Sequence, residues 1–259
     1  MKRYSKIWIM LSLISLQNSF AGRFGAIVFV IGKLIRFGMF FLLLAVLFNS
    51  TKALAGFTRE QIFVVFLTYT LVDSISQLLF REVYRFRGRV VTGDFDLDLI
   101  KPLNSLFRPL LGGIDVLDAI TLLPYLIVFV QITRGMQIQP LSVALFILLL
   151  LNALFISAGF HIIVLSLGVV TSEIDHAILI YRDIFQMGRF PTSIYTGLVR
   201  NVLTFVVPLT IMITVPAKVL FGLYSLQTLL AAFATSLIFL LVSLRLWQYA
   251  LQKYTSASS

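Results

Sequence analysis

Long apolar runs alternate with short charged segments along this whole chain. The first run, 25–48, reads "GAIVFVIGKLIRFGMFFLLLAVLF" and carries only Lys33 and Arg36 as charges. A second covers 60–80 with Asp73 inside it. A third covers about 113–133, with Asp115 and Asp118 near its start and Pro124 in its middle. The fourth starts at Leu141 and stays apolar to about Val170, and the last, 225–247, is uninterrupted. These runs reach the ~20 residues that a helix needs to cross ~30 Å of hydrocarbon. A β-barrel would instead show short segments of alternating polarity. The pattern predicts an all-α polytopic membrane protein, one transmembrane domain over 1–259.

Composition agrees: 59% of the 259 residues are hydrophobic, more than a soluble domain of that length could hide. The chain has no cysteine, which removes disulfides, thiolate metal sites and thiol nucleophiles.

Two regions are less regular. Residues 1–23 open with Lys2, Arg3 and Lys6 and then turn apolar, with Ser5, Ser12, Ser15 and Ser19 stacked on one helical face. That predicts an interfacial amphipathic helix. The alternative is a signal peptide cleaved after "SFA". Residues 171–221 keep two readings. In one, 171–199 is a loop and 201–221 crosses. In the other, 172–189 crosses as a polar helix surrounded by protein. Residues 190–221, marked by Arg189, Pro191, Pro208 and Pro216, then form a proline-broken re-entrant element on the outer side. Either reading gives six spans with both termini on one side.

The formal charge of +10 could suggest nucleic acid, but its distribution points to topology instead. Residues 1–24 hold four Lys or Arg, 81–112 hold six, and Arg245 and Lys253 follow the last run. The opposite loops hold only Lys52, Arg59 and Arg134. Twelve against three places the N-terminus and the 82–112 loop in the cytoplasm, without nucleic acid as partner. Cleavage of a signal peptide would reverse the next two spans and put "RFRGR" outside, which the count rejects.

No catalytic or metal motif stands out. GxxxxGK[ST], HExxH and GxSxG are all missing. The triplet Asp94, Asp96, Asp98 opens like a calcium loop, but Leu99 stands where the turn glycine is needed and Ser105 where the closing glutamate is needed. If extended, the alternation sets the three aspartates on one side and Phe95, Leu97 and Leu99 on the other, with Arg85, Arg87 and Arg89 for balance. Lys101 and Pro102 end it. A charged, partly apolar loop of this kind suits docking to a soluble partner. Within the spans, Lys33 and Arg36 can snorkel, and a pair with Asp73 is the simplest structural role for them. Asp115 and Asp118 suit a helix N-terminal turn.

In its order of elements the chain resembles an ABC-2-type transporter permease. The resemblance rests on "GDFDLDLIKPLN" after the second span, through Gly93, Asp94, Phe95, Asp96, Leu99, Lys101, Pro102 and Leu103. It rests also on "RFPTSIYTGLVRNVLTFVVPLTIMITVPAKVLFG" (189–222) and the terminal "YTSASS". The resemblance implies a non-enzymatic subunit of an exporter in the cell (inner, cytoplasmic) membrane. Two permease chains, identical or paralogous, would associate, and each would dock a separate ATPase that holds ATP and Mg. The 82–112 loop would receive the ATPase's motion, with no cofactor in this chain. It also favours the re-entrant reading of 190–221. Aromatic residues along the spans would suit amphipathic cargo, or serve as lipid-facing bulk. The competing readings are an ion-coupled carrier using Asp73 or the Asp115/Asp118 pair, and a non-transporting scaffold.

Overall fold

The computed structural model describes residues 2–171 and 174–255, and these form helices and turns with no strand. The last four residues of "YTSASS" lie outside the described residues. The described residues form twelve α-helices: α1 Lys2–Ala21, α2 Arg23–Ser50, α3 Arg59–Phe80, α4 Phe86–Val91, α5 Asp94–Leu99, α6 Phe107–Leu111, α7 Val116–Arg134, α8 Pro140–Thr171, α9 Ile174–Gln186, α10 Gly197–Asn201, α11 Val215–Leu220 and α12 Leu226–Lys253.

Among the described residues, five segments are long and apolar enough to cross a membrane: α2, α3 with its continuation to Val91, α7, α8 and α12. The chain is an all-α polytopic membrane protein. A sixth crossing is added if Gly197–Val206 and Thr210–Leu220, bent by 72° around Pro208, count as one. Pro208 has no N–H to give, and the backbone on either side widens into π turns, Val202–Val206 and Thr210–Thr214. One reading makes 172–189 a crossing helix, and the described part of it is shorter than that. α9 has 13 residues, ~20 Å of rise, and ends beside the middle of α3. There Gly188 lies against Tyr69 and Ile213 so closely that a Cβ would collide with the Ile213 side chain.

α3 is the central helix. Thr58 and Gln61 close its N-terminus as a capping box, and fifteen of its 22 residues are buried. α2 is peripheral by contrast: of its 28 residues only Ala26 and Leu44 are buried. α8 and α12 pack along each other, and Gly159 lets Phe239 approach where a Cβ would clash. Their register is fixed by Asn152, which donates to the Ala232 carbonyl at 3.1 Å and accepts from the Ser236 hydroxyl at 2.5 Å. Between helices, such polar contacts act as specific glue in lipid.

The start of α1, the end of α12 and the 81–115 segment meet on one face, called the basic face. The Tyr4 hydroxyl accepts from the Asn104 N–H at 3.1 Å, and Tyr254 reaches Asp96 at 2.7 Å. α1 is helical as expected, but its serine face is turned to the protein and not to water. Ser12 Oγ accepts from the Ile114 N–H at 3.2 Å and Ser15 is buried. Ile9, Met10 and Leu13 are left exposed on the other side. A hydroxyl that finds a backbone partner can be buried, whereas the apolar face gains by meeting lipid.

Candidate functional site

Two regions concentrate the charged residues: a cap on the basic face and a cavity at mid-depth. The cap begins where α3 runs on through a 3-10 turn, Arg81–Arg85, into α4. Gly93 follows with φ +77, a conformation that favours glycine, and α5 starts at once. The extended alternation predicted for 94–99 is therefore replaced by a helix. On a helix, residues three and four apart share a face. Phe95 and Asp98 point inward together, while Leu97 and Leu99 point out.

Phe95 is fully buried against Phe86, Trp247 and Tyr254, with ring centroids 4.9, 6.1 and 5.3 Å away. Beneath this aromatic group lie Phe80, Leu165 and Val169, so the cap is continuous with the ends of α3, α8 and α12. Asp98 is held by Arg89, by Lys101 at 3.1 Å and by Arg108 at 2.8 Å. Arg89 lies 3.8 Å from Glu82, which Arg85 approaches at 3.3 Å. Arg87 pairs with Asp175 at the start of α9 at 2.5 Å. Burial, followed by the Asp96 carboxylate beside it, pushes the Tyr254 hydroxyl up to about 12, so it stays a donor at neutral pH. Asp94 accepts from the Thr92 hydroxyl. Lys101 and Pro102 open the turn that leads to α6.

The outer surface of the cap differs in kind. Val91, Leu97 and Ile100 are exposed at 62%, 54% and 80%. Large apolar side chains on a short charged helical segment mark a surface that another protein can cover.

The second region lies between α2, α3 and α9. Two adjoining cavities of about 60 and 120 Å³ share Lys33, Arg36, Tyr69 and Asp73 as walls. Arg189 lines the first, and Arg81 and Arg182 the second. The sequence suggested a pair between Asp73 and Lys33 or Arg36. The structure instead pairs Lys33 with Asp118, a fully buried acid of α7. Asp115 caps α7 through the Leu117 and Asp118 N–H groups and lies 3.4 Å from Arg81 Nε. Its capping role is the one expected of it. Both partnerships are long-range, which is why a linear reading missed them. Arg189 sits over the Phe40 and Tyr69 rings at 5.2 and 5.6 Å and donates to Gln186 at 3.1 Å.

Arg81, Arg182, Trp247 and Tyr254 were not singled out from sequence, and Asp118 was expected in a helix N-terminal turn but not as the partner of Lys33. Arg182 carried one available signal, since it stands seven residues before Arg189, two turns along one helical face. Pro191 and Pro216 shape the chain after α9: Pro191 starts a single turn, Thr192–Ile194, and Pro216 sits in the first turn of α11. The Thr192 and Thr210 hydroxyls meet at 2.8 Å across this segment. Among the described residues, no group of three or more His, Asp or Glu is placed to hold a metal ion.

A central helix, lipid-length spans and a charged cap that closes one face together define a polytopic helical membrane protein. Comparison with protein families finds a match to the ABC-2 family transporter protein over residues 34–258. The chain belongs to that family and is a transmembrane permease subunit of an ABC transporter. No curated protein and no solved structure gives a significant match.

Proposed function

We propose that this chain forms half of the translocation pathway of an ATP-driven exporter, and that residues 82–112 receive the motion of a separate ATPase. The observation that carries this is the two-sided build of the cap. Its inner side is locked to three spans through Phe95, while its outer side offers Val91, Leu97 and Ile100 to a partner. A lever needs both properties: a rigid root, and an apolar edge that another subunit can grip. The excess of Lys and Arg on this face supports a cytoplasmic setting for it, for both termini and for the ATPase. Two such chains would enclose the pathway, with 190–221 dipping back from the outer side. The mid-depth packing of Gly188 and Ile213 on α3 supports that last point.

The test is co-purification of the full chain with candidate ATPase subunits, followed by hydrolysis measured with and without it. Replacing Leu97 and Ile100 with serine leaves the buried core untouched. In the proposed arrangement the L97S/I100S variant inserts normally, yet loses ATPase docking or uncouples hydrolysis from transport. Wild-type coupling in that variant would show that the lever lies elsewhere.

A further inference from the structure

We propose that the cavity between α2, α3 and α9 binds the anionic head, of phosphate type, of an amphiphile that reaches it sideways from the membrane along α2. The inference rests on the reading of the chain as a transport permease and names the class of cargo. Five cations face the joined cavities: Lys33, Arg36, Arg81, Arg182 and Arg189. Two of them are already matched, Lys33 by Asp118 and Arg81 by Asp115. Among the described residues, Asp73 is the one acid in the cavity walls, and it faces the three remaining arginines. Among the described residues, neither Arg36 nor Arg182 forms an ion pair.

Depth makes this arrangement costly. Arg36 is fourteenth of the 28 residues of α2, and Asp73 lies near the middle of the chain's second span. Cations at that depth are expensive unless they meet counter-charge or water, and they mark ligand pathways by default. A guanidinium presents a planar fork of donors that matches phosphate or carboxylate oxygens, so the missing counter-charge is an oxyanion.

The shape of the site supplies the other half. Arg36, Phe40 and Arg189 also line a cleft on the outside of α2, whose other walls are Gly32, Ile35, Met39 and Leu43. Ile35, Met39 and Leu43 are exposed on the lipid-facing side, and nothing lies within 4 Å of where a Cβ of Gly32 would stand. The same two arginines thus stand where an apolar groove opens into a cationic cavity. An alkyl chain fits the groove and its charged head fits the cavity. A soluble anion would use the cavity alone.

The experiment uses the purified full chain in a non-ionic maltoside detergent, without any ATPase, so a failure to dock an ATPase cannot be mistaken for a failure here. Dodecyl phosphate, dodecyltrimethylammonium and inorganic phosphate are titrated by calorimetry. Wild type is expected to bind dodecyl phosphate in preference to both others. R36Q/R189Q should weaken that binding by about ten-fold or more, the scale of lost charge-assisted hydrogen bonds. Asp73→Asn should tighten it, an outcome that damage to the fold cannot imitate. Should the double variant fail to fold, R182Q is read in its place with the same expected loss. Equal binding of dodecyltrimethylammonium, or wild-type affinity in the arginine variants, overturns the anion site. Inorganic phosphate binding as tightly as dodecyl phosphate overturns the sideways amphiphile in favour of a free anion.

Discussion

Asp98 and Asp73 are both acids set among several basic residues, yet the protein treats them in opposite ways. Asp98, 5% exposed, has cations on both carboxylate oxygens and serves as the pin of the cap. Asp73 shares its cavities with five cations but has no ion-pair partner within 4 Å among the described residues. A saturated carboxylate surrounded by fixed donors is architecture. An acid facing unpaired arginines across open space leaves room for something to arrive, and the cost of holding it there is carried by the surrounding packing. The two regions are joined, because the central span passes one and runs into the other.

The comparison can be broken first at Phe95. Truncation to alanine should cost about 4 kcal/mol, the usual scale for emptying a buried aromatic site, and thermal unfolding in detergent would read it. A loss below about 1 kcal/mol would mean that the cap is not rooted in the spans. Asp98→Asn comes next. Removing one partner of a buried ion pair strands the other charges, and about 3 kcal/mol is expected here, given that Lys101 and Arg108 are partly exposed. Tyr254→Phe loses one hydroxyl contact at the cap edge, worth about 1 kcal/mol.

That same contact has a pH signature. The Tyr254 pKa is raised above its unfolded value near 10, so its contribution is complete below about pH 10 and fades as pH rises through about 12. Unfolding midpoints of wild type and Tyr254→Phe should therefore converge at high pH. The smallest effect on stability belongs to Asp73→Asn, within about 0.5 kcal/mol, because it breaks no ion pair. A large loss there would make Asp73 a pin like Asp98 and erase the contrast.

Much of the fold was legible because lipid imposes its own grammar. The five long runs became helices within a few residues of where hydropathy ends them, and the break at Pro208 follows from a missing N–H. The cap was less legible. Six residues of "DFDLDL" satisfy a period of two and also put Phe95 and Asp98 on one helical face, and only the packing of Phe95 on Trp247 decides between them. The cavity was legible in its ingredients but not its pairings. Lys33 finds Asp118 across 85 positions of sequence, and nothing local in the chain prefers that acid to Asp73. Arg182 was hidden for another reason: its segment is too polar to stand out as a span and too short to cross as one.

The Asn152 contacts between α8 and α12 carry a mechanical consequence. A slip of one helix past the other by a single turn would strand a carboxamide and a hydroxyl where no water can replace their partners. The α8–α12 pair therefore resists sliding, whereas the lightly packed α2 and the half-length α9 are the helices whose basic residues face the cavity.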